Sequence, residues 1–207
     1  MARNENEVLL GPGYFYIAPA TAVTPEAPPT FVVSMEIDTD PAGNWEDVGY
    51  SEDGWSLVGS SEFSFWTPAE LPDPIATTKD SSEYSLRGVM AQFTLENLQI
   101  ALAGGTITVD SAGVADTTPG LRHYDPPLTT AFSYFSALFI TGKNDDNDTT
   151  SEPCVRMTYV PFVVSVAEVE IPHTKGSNPS LVGVELRAIK RSGSNIFRID
   201  EQFEVSA

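Results

Sequence analysis

The acidic stretch Asp145–Glu152 is the first candidate for chemistry, because closely spaced carboxylates and amides are the oxygen ligands that Ca²⁺ prefers. An EF-hand loop that began at Asp145 would need glycine at its sixth position and a bidentate acid at its twelfth. Those positions hold Thr150 and Arg156. The template fails, and the stretch is interpreted as a solvated polar loop.

The sequence also contains no motif that indicates nucleophilic or acid–base catalysis. The chain has two histidines, His123 and His173, and neither has a neighbour at metal-ligand spacing. The segment Gly54–Gly59 is one residue too long for the G-x-S-x-G elbow of a serine hydrolase. The single cysteine, Cys154, excludes an internal disulfide and is interpreted as a small structural residue. We therefore predict no enzyme, no cofactor and no metal.

Net charge restricts the function further. The 207 residues carry a formal charge of −18, and no Lys or Arg lies between Asn4 and Thr78. Four of the eleven basic residues fall within twelve positions near the C-terminus: Arg187, Lys190, Arg191 and Arg198. Binding to a phosphate backbone depends on Lys and Arg, so this acidity argues against nucleic-acid binding.

Hydrophobic alternation predicts a mainly β chain. Leu181–Lys190 and Ile196–Val205 alternate apolar and polar residues, while Phe132–Thr141 is aromatic enough to be buried on both faces. Further strands are expected at Tyr14–Ile17, Phe31–Ile37, Thr106–Val109 and Val155–Ile171, and the region Asp110–Pro127 is expected to be rich in turns. Short strands with turn signals suit one β-sandwich or barrel-like domain over residues 13–207. Residues 1–12 are predicted to be a flexible arm, and long loops are expected near 67–82 and 143–153.

The segment Trp45–Gly105 has the most informative order of elements. A short strand ends at a turn, Ser51–Gly54, whose glycine can take positive φ. A second strand follows in which Phe63 and Phe65 alternate with polar residues. After the loop and a third strand, apolar residues from Leu95 onward fall at helical spacing. We predict a short helix with Thr94 as N-cap and Gly104-Gly105 as its end.

This segment resembles the major tail (tail tube) proteins of long-tailed, non-contractile bacteriophages. The resemblance rests on the turn residues Trp45, Asp47, Val48, Gly49, Tyr50 and Gly54, and on the helix residues Asn97, Leu98, Ala101, Leu102, Gly104 and Gly105. Gly11–Ala22 is also similar to the first strand of the family. Such proteins are β-sandwich or barrel-like domains with a flanking helix, and they assemble as hexameric rings stacked into a hollow tube.

The resemblance implies a structural virion protein that conducts the genome into the host cell. Its expected partners are copies of itself and the tail tip, tape measure and tail terminator proteins, with DNA passing through unbound. The expected location is the virion tail, after assembly in the host cytoplasm. No run of 18 apolar residues predicts a membrane span.

Two sets of charged residues are candidates for roles in assembly. The four C-terminal basic residues, Arg187, Lys190, Arg191 and Arg198, are predicted to meet acids of a neighbouring subunit or ring. A negative lumen or ring face is predicted from six acids: Glu36, Asp38, Glu46, Asp47, Glu52 and Asp53. The loop Thr67–Ser82 is expected to reach a neighbour.

Other functional classes remain open from the sequence. A carbohydrate- or protein-binding β-sandwich module could use Trp45, Trp55 and Trp66 as an aromatic platform. A hydrolase on a β-scaffold is a further alternative. For the tryptophans, packing in a core or an interface is the simpler interpretation.

Overall fold

The structure is a computed structural model that describes residues 13–32, 35–37, 39–67, 73–113, 118–128, 131–143, 154–166, 168–170 and 181–202. Strands account for 55% of the structure and helix for 5%, which confirms the predicted mainly β class with one short helix. The predicted N-terminal arm and residues 144–153 of the second predicted loop lie outside the described residues.

The described elements comprise ten strands and one helix. In chain order they are β1 Gly13–Ala20, β2 Glu46–Asp47, β3 Ser51–Trp66, β4 Ala76–Met90, α1 Leu95–Ala101, β5 Thr106–Ser111, β6 Leu121–Asp125, β7 Tyr134–Lys143, β8 Cys154–Ser165, β9 Val182–Ala188 and β10 Arg198–Glu201. The main sheet is antiparallel with the order β2-β1-β7-β8-β9-β4-β3, and β10 also pairs with β8. Strands β5 and β6 form a separate hairpin.

The main sheet is rolled, and a short connection forces this. Strands β2 and β3 lie at opposite ends of the sheet order, yet only Val48, Gly49 and Tyr50 join them. Four Cα steps reach at most about 14 Å, so the two ends of the sheet must lie close together. The ring of Phe15 in β1 stacks on Trp55 in β3 with centroids 3.8 Å apart. We call this meeting line the seam.

The seam connection also hydrogen-bonds to both ends of the sheet. The amide of Val48 donates to the Phe15 carbonyl at 3.0 Å, and the amide of Ala91, just after β4, donates to the Tyr50 carbonyl at 2.8 Å. The two halves of the rolled sheet therefore face each other across one inner core, as in a sandwich or barrel.

Helix α1 covers one end of the inner core. Thr94 is the N-cap, and its hydroxyl accepts from the Asn97 amide at 3.1 Å, as predicted. The Asn97 side chain donates to the carbonyls of Val48 and Gln92, both at 2.9 Å, which ties the helix to the seam. Beyond the C-cap Leu102, Ala103 takes the left-handed conformation with φ 57°, and the Gly104 amide donates to the Gln99 carbonyl at 2.8 Å. The predicted end residue Gly104 thus lies one position beyond the left-handed residue and has φ 132°.

A second core lies on the other face of β1, β7 and β8. Side chains such as Tyr16, Leu138 and Met157 are buried there, and the described residues between 21 and 45, among them Phe31 and Met35, cover them. Four consecutive residues of β7, Phe135–Leu138, are buried, which confirms the expectation that this strand is covered on both faces. Phe31, packed on this core, belongs to the covering segment.

Hydrogen bonds anchor the covering segment to the sheet. The Glu26 amide donates to the Ser136 hydroxyl at 2.9 Å, and the Tyr159 hydroxyl donates to the Glu26 carbonyl at 2.6 Å. Burial raises the pKa of Tyr159 to about 12, so its hydroxyl keeps its proton and remains a donor. The Trp45 indole N–H donates to the Ala27 carbonyl at 3.2 Å.

Several strand predictions were wrong in detail. The described part of Phe31–Ile37 contains no strand, because its apolar side chains cover the second core without joining a ladder. Ser51–Gly54 is an irregular start of β3 rather than a hairpin turn, although Gly54 does have positive φ, 76°. Strand β6 lies in the region Asp110–Pro127 that was predicted to be turn-rich.

The predicted loop Thr67–Ser82 is also shorter than expected. Strand β4 begins at Ala76, because the β-branched residues Thr77 and Thr78 pair with Phe65 and Ser64 and continue the hairpin. Other strands are shorter than the sequence patterns. Within the described part of the predicted Ile196–Val205, residues 196–202, β10 covers Arg198–Glu201, and β8 ends at Ser165.

Substitution of Gly88 tests the packing at the seam. A Cβ at Gly88 would lie 2.5 Å from the Trp55 ring, so Gly88→Ala must displace the indole from Phe15. We expect a loss of about 1–3 kcal/mol in the free energy of unfolding, measured by urea denaturation. Gly183→Ala on neighbouring β9 is the matched control, since nothing lies within 4 Å of its Cβ. Equal effects of the two substitutions would contradict this packing.

Candidate assembly surfaces

The described residues contain no cluster of three or more His, Cys, Asp or Glu that could hold a metal ion. His123 is instead held between two carboxylates of the β5–β6 hairpin. Its Nδ1 is 2.7 Å from Asp110 and its Nε2 is 3.3 Å from Asp125. Both ring nitrogens therefore lie within reach of a carboxylate of the same hairpin. His173 and the stretch Asp145–Glu152 lie outside the described residues.

Because two carboxylates lie beside His123, we predict a shift in the pKa of His123 that can be measured. The hydrogen bond that His123 donates to Asp110, together with the negative charge of Asp110, raises the pKa of His123 above its ordinary value. Because the folded pKa is raised, the ion pairs stabilise the hairpin fully below the unfolded pKa, and this stabilisation is lost as pH rises through the folded pKa. NMR titration should give a pKa above 6.5 for His123 and a lower pKa in Asp110→Asn. An unchanged pKa in that variant would contradict the pairing.

The outer part of the β3–β4 hairpin extends beyond the rest of the sheet. Strand β9 pairs with β4 only over Ser85–Met90, whereas β3 and β4 remain paired as far as Trp66 and Ala76. We call residues 60–66 with 76–83 the arm. At about 3.3 Å per residue the arm projects roughly 20 Å. A two-stranded hairpin without further support is only marginally stable in water.

The arm has two chemically different faces. Directly paired residues point to the same side, so Phe63, Phe65 and Lys79 share one face, here called the aromatic face. The opposite, acidic face carries Glu62, which accepts from the Ser81 hydroxyl at 3.0 Å, and Asp80, which accepts from the Ser64 hydroxyl. The alternation predicted for Phe63 and Phe65 is confirmed.

Large apolar side chains are exposed on the arm and just past its end. The exposed fraction is 50% for Phe63, 63% for Phe65, 59% for Trp66 and 57% for Ile75. Clustered exposure of this kind is typical of surfaces that bind another macromolecule. The arm is therefore the first candidate assembly surface.

A groove at the seam is the second candidate surface. It has a volume of about 710 Å³ and lies at the opposite end of β3 from the arm. Its walls include Tyr14, Asp47, Tyr50, Asp53, Trp55 and Gln92. The Trp55 Nε1 is buried without a hydrogen-bond partner among the described residues. Aromatic rings and two carboxylates thus share one groove, which we call the seam groove.

The six predicted lumen acids are partly brought together. Asp47 and Asp53 meet at the seam groove, and Asp47 also accepts from the Gly49 amide at 2.8 Å. Glu46 and Glu52 are exposed nearby in β2 and β3, whereas Glu36 is exposed on the segment that covers the second core. Asp38 lies outside the described residues. Their placement in a lumen stays a prediction.

The four predicted basic contacts do not form one patch. Arg187 lies 3.3 Å from Glu83 and Arg198 lies 2.7 Å from Asp200, so both already pair within the subunit. The Arg191 guanidinium sits over the Tyr134 ring at 4.5 Å, and Lys190 is exposed beside it. Residues that are close in sequence were separated here because β9 and β10 flank different parts of β8. An intersubunit role for any of them stays a prediction.

The three tryptophans also occupy separate places. Trp45 is buried in the second core with its ring 6.2 Å from that of Tyr159. Trp55 is at the seam, and Trp66 is at the end of the arm. They do not form the single aromatic platform that a carbohydrate-binding module would need.

Two sequence patterns pointed in part to these surfaces. The alternation of Phe63 and Phe65 indicated an amphipathic strand. No sequence pattern indicated that β9 would leave the outer part of the β3–β4 hairpin without a neighbouring strand. The seam groove depends on the rolling of the sheet, and only the motif residues Asp47, Gly49, Tyr50 and Gly54 pointed to it.

Comparison with known proteins adds no relative: no protein-family model matches the chain, and no curated protein matches it in sequence. None of the helices in the described ranges is long and apolar enough to cross a membrane. A functional assignment therefore depends on the motif resemblance and on the two surfaces described above.

Proposed function

We propose that this protein is the tail tube subunit of a long-tailed, non-contractile bacteriophage. Its activity is self-assembly into stacked hexameric rings that form a conduit for genome passage. The observation that carries the proposal is the arm, an amphipathic hairpin that projects from the rolled sheet with its aromatic side chains exposed.

The exposed arm makes sense in a protein that functions as an assembly. Covering one of its half-exposed phenylalanines on a neighbour contributes about 1–1.5 kcal/mol. Burial of several such side chains at each contact, repeated around a ring and between rings, provides free energy that offsets the loss of translational and rotational freedom on association. The aromatic side chains of the arm are then exposed in the single subunit because the interface that covers them forms only on assembly.

The charge of the chain supports the role of a conduit. Six copies at −18 each give a ring a formal charge of −108, and nucleic acid is repelled by such a surface. The seam groove concentrates two of the predicted acids, Asp47 and Asp53. In this proposal the partners are further copies of the chain and the tail tip, tape measure and tail terminator proteins. The location is the virion tail, assembled in the host cytoplasm.

Because the phenylalanines of the arm are exposed, we predict that their substitution weakens assembly without preventing folding. We expect concentrated wild-type protein to form rings or tubes in negative-stain images. Phe63→Ser with Phe65→Ser should leave a folded monomer, with Kd for association raised about 30- to 150-fold because about 2–3 kcal/mol of burial is lost per contact. Sedimentation velocity measures the association.

Val23→Ser with Val109→Ser is the matched control, since both valines are exposed but lie away from the arm. Wild-type protein that stays monomeric at every concentration would contradict the proposed function, and so would duplex DNA binding at physiological salt. Normal tubes from the double phenylalanine variant would contradict the role of the arm alone.

A further inference from the structure

We propose that the aromatic face of the arm of one subunit binds in the seam groove of a second copy. The inference rests on the proposed function, because it assumes that the chain self-assembles, and it names the two surfaces that meet. The contact is head to tail, since the arm and the groove are different surfaces of the same subunit.

The chemistry of the two surfaces is complementary. The aromatic face presents Phe63 and Phe65 beside the ammonium group of Lys79. Lys79 is the only basic residue of the sequence between Asn4 and Leu86. The seam groove offers the carboxylates of Asp47 and Asp53 next to aromatic rings, which attract a cation and pack against phenylalanine. A groove of about 710 Å³ is within the range that holds several side chains.

The acidic face of the arm fixes the orientation of this contact. Glu62 and Asp80 point away from the aromatic face, so they stay outside the groove when Phe63 and Phe65 enter it. The reverse orientation would bring these carboxylates against Asp47 and Asp53, and like charges at close range oppose binding. The arm therefore enters the groove by one face only.

The length of β3 excludes binding of the arm to its own groove. Asp53 and Phe63 are ten residues apart on the same strand, which corresponds to roughly 33 Å at about 3.3 Å per residue. A strand cannot fold back onto its own start, so the occupant must be a second copy. Repetition of the contact advances each copy by roughly 30 Å along β3 and generates an open-ended array or a closed ring.

A charge exchange tests the contact between Lys79 and the groove. Lys79→Glu and Asp53→Lys each replace attraction by repulsion, and each should raise the critical concentration for assembly about fivefold. Both substitutions in one chain should return it to within about twofold of wild type, because the pair is restored with its signs exchanged. Arg122→Glu and Asp125→Lys, both on the separate β5–β6 hairpin, are matched controls that make the same changes of net charge away from both surfaces. These controls should assemble like wild type.

Cross-linking tests the geometry directly. Lys79→Cys and Asp53→Cys proteins, mixed and treated with a short bismaleimide, should give a covalent dimer that neither protein gives alone. The natural cysteine, Cys154, is buried and serves as the background in both proteins. Cross-linking should rise with protein concentration together with assembly.

The outcomes separate this inference from the function on which it rests. Wild-type protein that never assembles overturns the proposed function. Wild-type tubes that form while Lys79→Glu and Asp53→Lys assemble normally overturn only the arm-in-groove contact. Assembled protein that gives no mixed cross-link, or a double charge variant that remains as impaired as the single variants, overturns the contact as well.

Discussion

The three-residue connection from β2 to β3 is the constraint on which the rest of the structure depends. Val48, Gly49 and Tyr50 join opposite ends of one sheet, so the sheet must roll until those ends meet. Rolling places Phe15 against Trp55, encloses the inner core and leaves the seam groove between the two ends. Asn97 of the helix donates to the Val48 carbonyl, so the same connection positions the helix.

The two candidate assembly surfaces both follow from the length of β3. Its first residues are needed at the seam, and its middle pairs through β4 with the body of the sheet. Its last residues have no further strand to support them, and they form the arm. A single long strand therefore carries a groove at one end and an amphipathic hairpin at the other. That separation favours contacts between copies over contacts within one subunit.

Electrostatics shape the surface more than they stabilise the subunit. The pair Arg187–Glu83 is about half exposed on both sides, and pairs of this kind contribute about 0–1 kcal/mol. Most basic residues near the C-terminus thus meet acids or aromatic rings of their own chain. Lys79 differs, because it lies on a face of the arm that has no acid of its own to neutralise it.

The sequence by itself determined the features that depend on neighbouring residues. Thr94 set the start of the helix, aromatic content indicated a β7 buried on both faces, alternation set the buried face of β9, and Gly54 marked a backbone with positive φ. Tertiary structure decided the rest. Phe31 packs on a core instead of joining a strand, β6 forms because β5 offers a partner, and Phe15 stacks on Trp55 only across the rolled seam. The physical reason is range: caps and alternation arise within a few residues, whereas pairing partners and closure of a sheet depend on residues far apart in the chain.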